Sequence, residues 1–215
     1  MDLLLSNLID QISEIVEDDG FKKCLSIQIK SDEIVIDIEF GKYDADLEHW
    51  QIVARGVLDH RIYNLEDFIY PKLVKRHPLL MPYHLPHRTL YFNSLAKNPD
   101  TVFAQLVSAQ VATVGDWFPM DYFLRRGSYK THQEFLELGF GLLAIGPEPI
   151  IQAFEEVLTN HGVEHSFISW GTAGWNGQTN IRLSESSVAF TAGRSYIVAQ
   201  EFTAIKIEEN HSISI

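Results

Sequence analysis

Leu25-Ser-Ile-Gln-Ile-Lys-Ser-Asp-Glu-Ile-Val-Ile-Asp-Ile-Glu-Phe40 is the stretch whose reading decides the fold. Leu25, Ile27 and Ile29 alternate with Ser26, Gln28 and Lys30. Past Ser31 and Asp32, Ile34, Ile36, Ile38 and Phe40 share a face, opposed by Asp37 and Glu39. Period-two alternation suits a strand buried on one face, and two such runs across a short polar turn predict an antiparallel hairpin. By the same alternation Cys24 falls on the polar side with Ser26 and Gln28, so an accessible thiol is expected.

Upstream, Leu4, Leu5, Leu8, Ile9, Ile12, Ile15 and Val16 recur at helical spacing, and Gly20 supplies the stop. Glu17, Asp18 and Asp19 crowd the end where the helix dipole disfavours negative charge, so packing of the apolar stripe must hold it. Downstream, Trp50 to Ile62 reads as a third strand. The chain thus begins as a helix followed by a three-stranded meander.

Pro71, Pro78, Pro82 and Pro86 then interrupt the pattern, which predicts irregular backbone over most of residues 70–88. Leu90 to Phe92 suits a short strand, and a helix is expected from Pro99-Asp100 through Val102, Phe103, Leu106, Val107 and Ala109. Further on, Leu142 to Ile145 reads as a strand, Gly146-Pro147 as a turn, Pro149 to Asn160 as a helix and Val163 to Trp170 as a strand. Such a unit is parallel if both strands share a sheet. Short antiparallel strands are expected at 181–183, 187–190, 196–199 and 202–207. The fold class read from this is α+β, an N-terminal helix packed on an antiparallel meander, then a mixed α/β sheet region with one strand-helix-strand unit. One domain over 1–215 is the simplest organisation. Its alternative is a cut into 1–95, with the basic proline-rich loop, and 96–215.

Of the 215 residues, 46% are apolar and 21% charged, a globular composition that is neither disordered nor fibrous. Lys plus Arg number 17 against 29 Asp plus Glu, a net charge of −12 that argues against a broad nucleic-acid or anionic-membrane surface. The single cysteine excludes an internal disulfide and a multi-cysteine zinc site. With no leader pattern at the start and no apolar run of about 18 to 20 residues, a cytoplasmic protein without membrane partners is expected.

The charge is uneven. Residues 1–67 hold 16 acids and 6 bases, and residues 100–215 hold 13 acids and 6 bases. Between them, 68–99 contain Lys72, Lys75, Arg76, Arg88 and Lys97, together with His77, His84 and His87, and no acid. Lys72, Lys75, Arg76, His84, His87 and Arg88 are therefore candidates for contact with an anion, an acidic partner or this chain's own acid-rich meander.

Catalytic motifs are scarce. His77, His84 and His87 lack a companion carboxylate and lie beside Arg76 and Arg88, so no metal is expected there. Cys24 has no positioned histidine, and no Gly-x-Ser-x-Gly elbow or dinucleotide fingerprint occurs. At Gly146-Pro-Glu-Pro149 two amide donors are missing and Glu148 already occupies the helix start, so no phosphate site is expected. No cofactor is implied. The uncharged stretch Trp170 to Asn180 is different: Trp170, Trp175, Asn176, Gln178 and Asn180, with Arg194 beyond them, suit a neutral polyhydroxylated or planar ligand. A packed glycine-rich hairpin accounts for the same residues. Asp116-Trp-Phe-Pro-Met120 is a second aromatic segment. The expectation is a non-enzymatic protein working through a protein interface, as an adaptor, regulatory or immunity protein would, with a homodimer as one form. The alternative is a small-molecule-binding protein or enzyme using 170–180.

Overall fold

Residues with alternating hydrophobicity form β1 (Phe21–Ile29) and β2 (Glu33–Gly41), closed by a Lys30 N–H to Glu33 C=O bond of 2.8 Å and followed by β3 (Glu48–Arg61). The computed structural model describes residues 3–17, 20–42, 47–63, 70–169, 173–175, 180–182 and 186–207. Two compact units divide the chain, residues 1–76 with 186–215, and residues 77–185. The fold is α+β.

In the first unit the meander continues into a six-stranded sheet of order β1-β2-β3-β11-β10-β4, where β4 is Lys72–Val74, β10 is Val188–Ala192 and β11 is Ser195–Ile207. Every neighbouring pair is antiparallel. Helix α1 (Leu3–Glu17) sets Leu5, Leu8 and Ile12 against Ile36, Ile38 and Ile52 in the core. Gly20 N–H closes its end on Ile15 C=O at 2.8 Å. The two short strands expected at 196–199 and 202–207 are one strand, β11, because pairing with β3 continues from Tyr196 opposite Arg61 to Ile207 opposite His49.

Cys24 departs from the expected alternation. The β1–β2 register puts Cys24 opposite Ile38 but Ser26 opposite Asp37, leaving Leu25 as an extra residue, 37% exposed. Such a bulge inverts the facing of the residues before it relative to those after it. Cys24 is therefore buried in the core with Ile27 packed on the same cluster, and the accessible thiol expected from the sequence is corrected.

The proline-rich segment is also more regular than expected. It comprises β4, a 3-10 turn at Pro78–Leu80, the one-turn helix α2 (Met81–His84) and the start of β5 (His87–Phe92). Pro78 and Pro82 stand in first turns, where a missing N–H breaks no helical hydrogen bond.

In the second unit, helix α3 (Pro99–Val114) begins where the Asn98 side chain accepts from Thr101 N–H at 3.3 Å. Helix α4 (His132–Leu136), unforeseen from periodicity, is capped by side chains at its start. Thr131 Oγ1 accepts from Glu134 N–H and Glu134 accepts from Lys130 N–H, each at 3.1 Å. Strand β6 (Gly141–Pro147) runs into α5 (Glu148–Asn160) with no turn between, so Gly146 and Pro147 belong to the strand. Strand β7 (His165–Ser169) follows. The sheet order is β6-β5-β7, with β5 antiparallel to both neighbours. β6 and β7 are therefore parallel to each other, joined through α5 and separated by β5. Gly141 sits at φ +155°, and a Cβ there would lie 2.4 Å from Cζ of Phe135, whose ring meets Phe92 edge-on. Strands β8 (Ala173–Trp175) and β9 (Asn180–Arg182) pair as a separate two-stranded ribbon. Among the described residues no helix is long and apolar enough to cross a membrane.

Burial, with Asp37 nearby, pushes the Cys24 thiol up to about 11. At pH 8 a thiolate-selective disulfide reagent is expected to label the native protein at least ~100-fold more slowly than the urea-unfolded chain. Comparable rates in the two states would place Cys24 at the surface.

Candidate interaction site at β7 and α5

His165-Ser-Phe-Ile-Ser169, the whole of β7, has β5 as its only strand neighbour among the described residues. Phe167 is 49% and Ile168 56% exposed, and successive strand positions turn them to opposite faces. The strand holds no Lys, no carboxylate and no Pro. Edge strands are usually blunted by such residues, because unpaired N–H and C=O groups invite another strand. At the far side of the same sheet, β6 is closed by residues 123–125. There Arg125 N–H donates to Leu143 C=O at 2.7 Å and Ile145 N–H to Phe123 C=O at 3.0 Å.

Helix α5 packs on β5 and β6 and shares a groove with His165 at the start of β7. From the central strand β5, the Arg88 guanidinium pairs with the Glu148 carboxylate and lies 4.6 Å from the ring centroid of Phe167. Gln152 Nε2 donates to the same carboxylate at 3.3 Å. Farther along, Gln152, Glu155, Glu156, Thr159 and Asn160 recur at helical spacing and, with His165, line a shallow groove of about 520 Å³. A neighbouring hollow of about 540 Å³ adds Asn93 and Glu164. Glu155 Oε1 is buried and has no hydrogen-bond partner among the described residues. His165 Nδ1 donates to Val163 C=O at 3.0 Å. The carboxylates lining the groove are Glu155 and Glu156, and Arg88, outside that lining, is paired with Glu148.

The residues singled out from the sequence fall in several places. Lys72 lies on β4 opposite Thr191, and Lys75 and Arg76 follow it, all three exposed in the first unit. His84, half-buried, ends α2. His87 is buried, its Nε2 donating to Pro82 C=O at 3.0 Å, and burial lowers its pKa. Arg88, on β5, pairs with Glu148 at the start of α5. Arg194 is exposed in the turn between β10 and β11. Trp170, Asn176 and Gln178 lie outside the described residues; Trp175 and Asn180 are backbone partners in the β8–β9 ribbon. His77 accepts from Leu79 N–H and sets its ring edge-on to Trp117 at 4.7 Å. Among the described residues no three His, Cys, Asp or Glu side chains converge to hold a metal ion. The chain matches no family model, no curated protein and no solved structure.

Glu155, Glu156, Phe167 and Ile168 were not singled out from the sequence. The uncharged run 166–169 was the available signal, but an edge strand is recognisable only once its neighbours are known.

A second polar cluster lies on the sheet face of the first unit opposite α1. Asp37 accepts from Ser26 Oγ at 2.5 Å and Gln51 Nε2 at 2.9 Å, with His49 Nε2 at 3.7 Å. Burial raises the Asp37 pKa, but the hydrogen bonds from Ser26 and Gln51, with His49, outweigh it and hold the group below its ordinary value. A depressed carboxylate adds stability above its unfolded pKa, and that stability is lost as pH falls through the folded value. Asp37→Asn turns an amide donor toward Gln51 and is expected to cost about 1–3 kcal/mol at pH 6. In urea titrations the gap between wild type and Asp37→Asn should begin to narrow as the pH falls below about 3.8 and go on narrowing toward the lower folded value. A gap constant from pH 6 to pH 2.5 would show that Asp37 is not ionised in the native protein.

Proposed function

We propose that this chain is a non-enzymatic cytoplasmic protein that works by binding another protein, as adaptor, regulatory or immunity proteins do, and that β7 is its contact strand. The observation that carries this reading is the edge of β7, unpaired among the described residues, with Phe167 and Ile168 exposed on it. A strand edge supplies main-chain hydrogen bonds to a partner, and side chains on its two faces supply selectivity. Covering the exposed parts of Phe167 and Ile168 contributes only on the order of 1 kcal/mol each. The contact therefore depends on backbone pairing and on the α5 flank as well, which suits a reversible association. Pairing of two copies through β7 is the narrower form of the same reading.

Ile168→Lys places a charge on the contact strand at an exposed position, so it is expected to shift Tm by no more than about 2 °C. Association should fall at least tenfold. For a second copy this is read by light scattering as loss of a species at twice 24.6 kDa, and for a different protein as loss of the complex on the immobilised chain. Association that survives Ile168→Lys unchanged would overturn β7 as the contact.

A further inference from the structure

We infer that the groove between α5 and β7 receives an extended basic peptide segment of a partner protein, which adds to β7 as a further strand and sets Lys or Arg side chains against Glu155 and Glu156. This deepens the reading that β7 is a contact strand and rests on it.

Length and spacing agree with such an occupant. The five residues of β7 offer about 17 Å of edge, enough for a five- or six-residue extended segment. Alternate side chains of an added strand rise on the α5 side about 6.8 Å apart. The flank from Gln152 to Thr159 covers about 10 Å of helix, so two alternate side chains fit along it. These side chains must span from the strand beyond β7 to the helix flank, a reach that suits the long stems of Lys and Arg.

Charge selects the sign. Glu155, Glu156 and Glu164 line the groove and its neighbouring hollow. Arg88 is paired with Glu148, and His165 Nδ1 is committed to Val163. Glu155 Oε1, buried without a partner among the described residues, is a carboxylate oxygen short of a donor, and an ammonium or guanidinium supplies one. An acidic segment would meet repulsion at the same place.

A second copy of this chain fits less well. Antiparallel pairing of β7 with itself has its two-fold axis perpendicular to the sheet, so both α5 helices lie on one face. Their Glu155 and Glu156 flanks then approach from either side of the joined strands. β7 itself, His165-Ser-Phe-Ile-Ser169, brings no Lys or Arg to offset them.

The test is selection of octapeptides from a random display library on the whole protein at 100 mM salt, followed by fluorescence anisotropy with the selected sequences. Lys or Arg should be enriched at alternating positions, and replacing them by Glu should weaken binding at least tenfold. Glu155→Gln with Glu156→Gln should weaken the basic peptides at least tenfold and flatten their salt dependence. Both substitutions are on the helix's outer flank, and an unchanged Tm verifies folding. N-methylation of alternate peptide amides, which keeps charge but removes strand hydrogen bonds, should weaken binding tenfold in one of the two registers. Bound peptide should also slow hydrogen exchange at β7 amides. Selected peptides without basic enrichment, or binding indifferent to the double substitution, overturn the inference. Basic peptides insensitive to N-methylation and to Ile168→Lys overturn it too, since they bind by charge alone. If no peptide is selected while Ile168→Lys still abolishes association with a protein, the basic-segment inference fails and the contact strand stands. A dimer that dissociates with Ile168→Lys and binds no peptide assigns the edge to a second copy instead.

Discussion

Eleven residue pairs join β3 to β11, from Tyr196 opposite Arg61 to Ile207 opposite His49, and the first unit depends on this ladder. It ties residues near the start of the chain to residues near its end. Loop-closure entropy grows only with the logarithm of the loop length, so a ladder with an apolar face can hold a long excursion. Ile52 and Ala54 on β3, with Phe202 and Ala204 on β11, supply that face beneath α1. β11 carries β10, and β10 carries β4, with Ala189 opposite Val74. The chain thus leaves the sheet after β4 and returns at the strand hydrogen-bonded to it. Residues 77–185 are the excursion between these two strands.

A single bulge sets the chemistry of both faces of the same sheet. Without it, the alternation would turn Leu25 inward and leave Cys24 with the polar residues. With it, Cys24 enters the core opposite Ile38, and Ser26 comes opposite Asp37 on the other face. The hydrogen bond from Ser26 and the one from Gln51 then hold a carboxylate ionised within a largely buried setting. One extra residue in β1 accounts for a raised thiol pKa on one face and a lowered carboxylate pKa on the other.

In the second unit the exposed edge follows from connectivity. β6, α5 and β7 form a parallel crossover, but β5 occupies the position between the two parallel strands, so among the described residues β7 is left outermost. Arg88 on β5 reaches over Phe167 to Glu148, coupling the central strand, the edge strand and the first turn of α5. The basic loop that stood out in the sequence contributes Arg88 to this arrangement as an internal counter-ion.

Local pattern determined much of this protein on its own. The alternation at 25–40, the apolar stripe at 4–16 and the spacing at 150–158 specify a hairpin and two helices, because period and burial are properties of neighbouring residues. The bulge was invisible, since Leu25 and Cys24 are both apolar enough to face inward and only pairing with β2 decides between them. The one-turn elements among the prolines were hidden for a related reason, as Pro78 and Pro82 mark first turns as readily as they mark loops. The site was less legible than the fold. Composition drew attention to charged and aromatic clusters, whereas Phe167, Ile168, Glu155 and Glu156 became a candidate surface only through the order β6-β5-β7 and the course of α5. The sequence alone determined the N-terminal helix, the hairpin after it, the helices α3 and α5, and that the chain is acidic. Tertiary structure decided that β7 ends its sheet among the described residues and which acids lie near it, because edges and grooves arise from residues far apart in the chain.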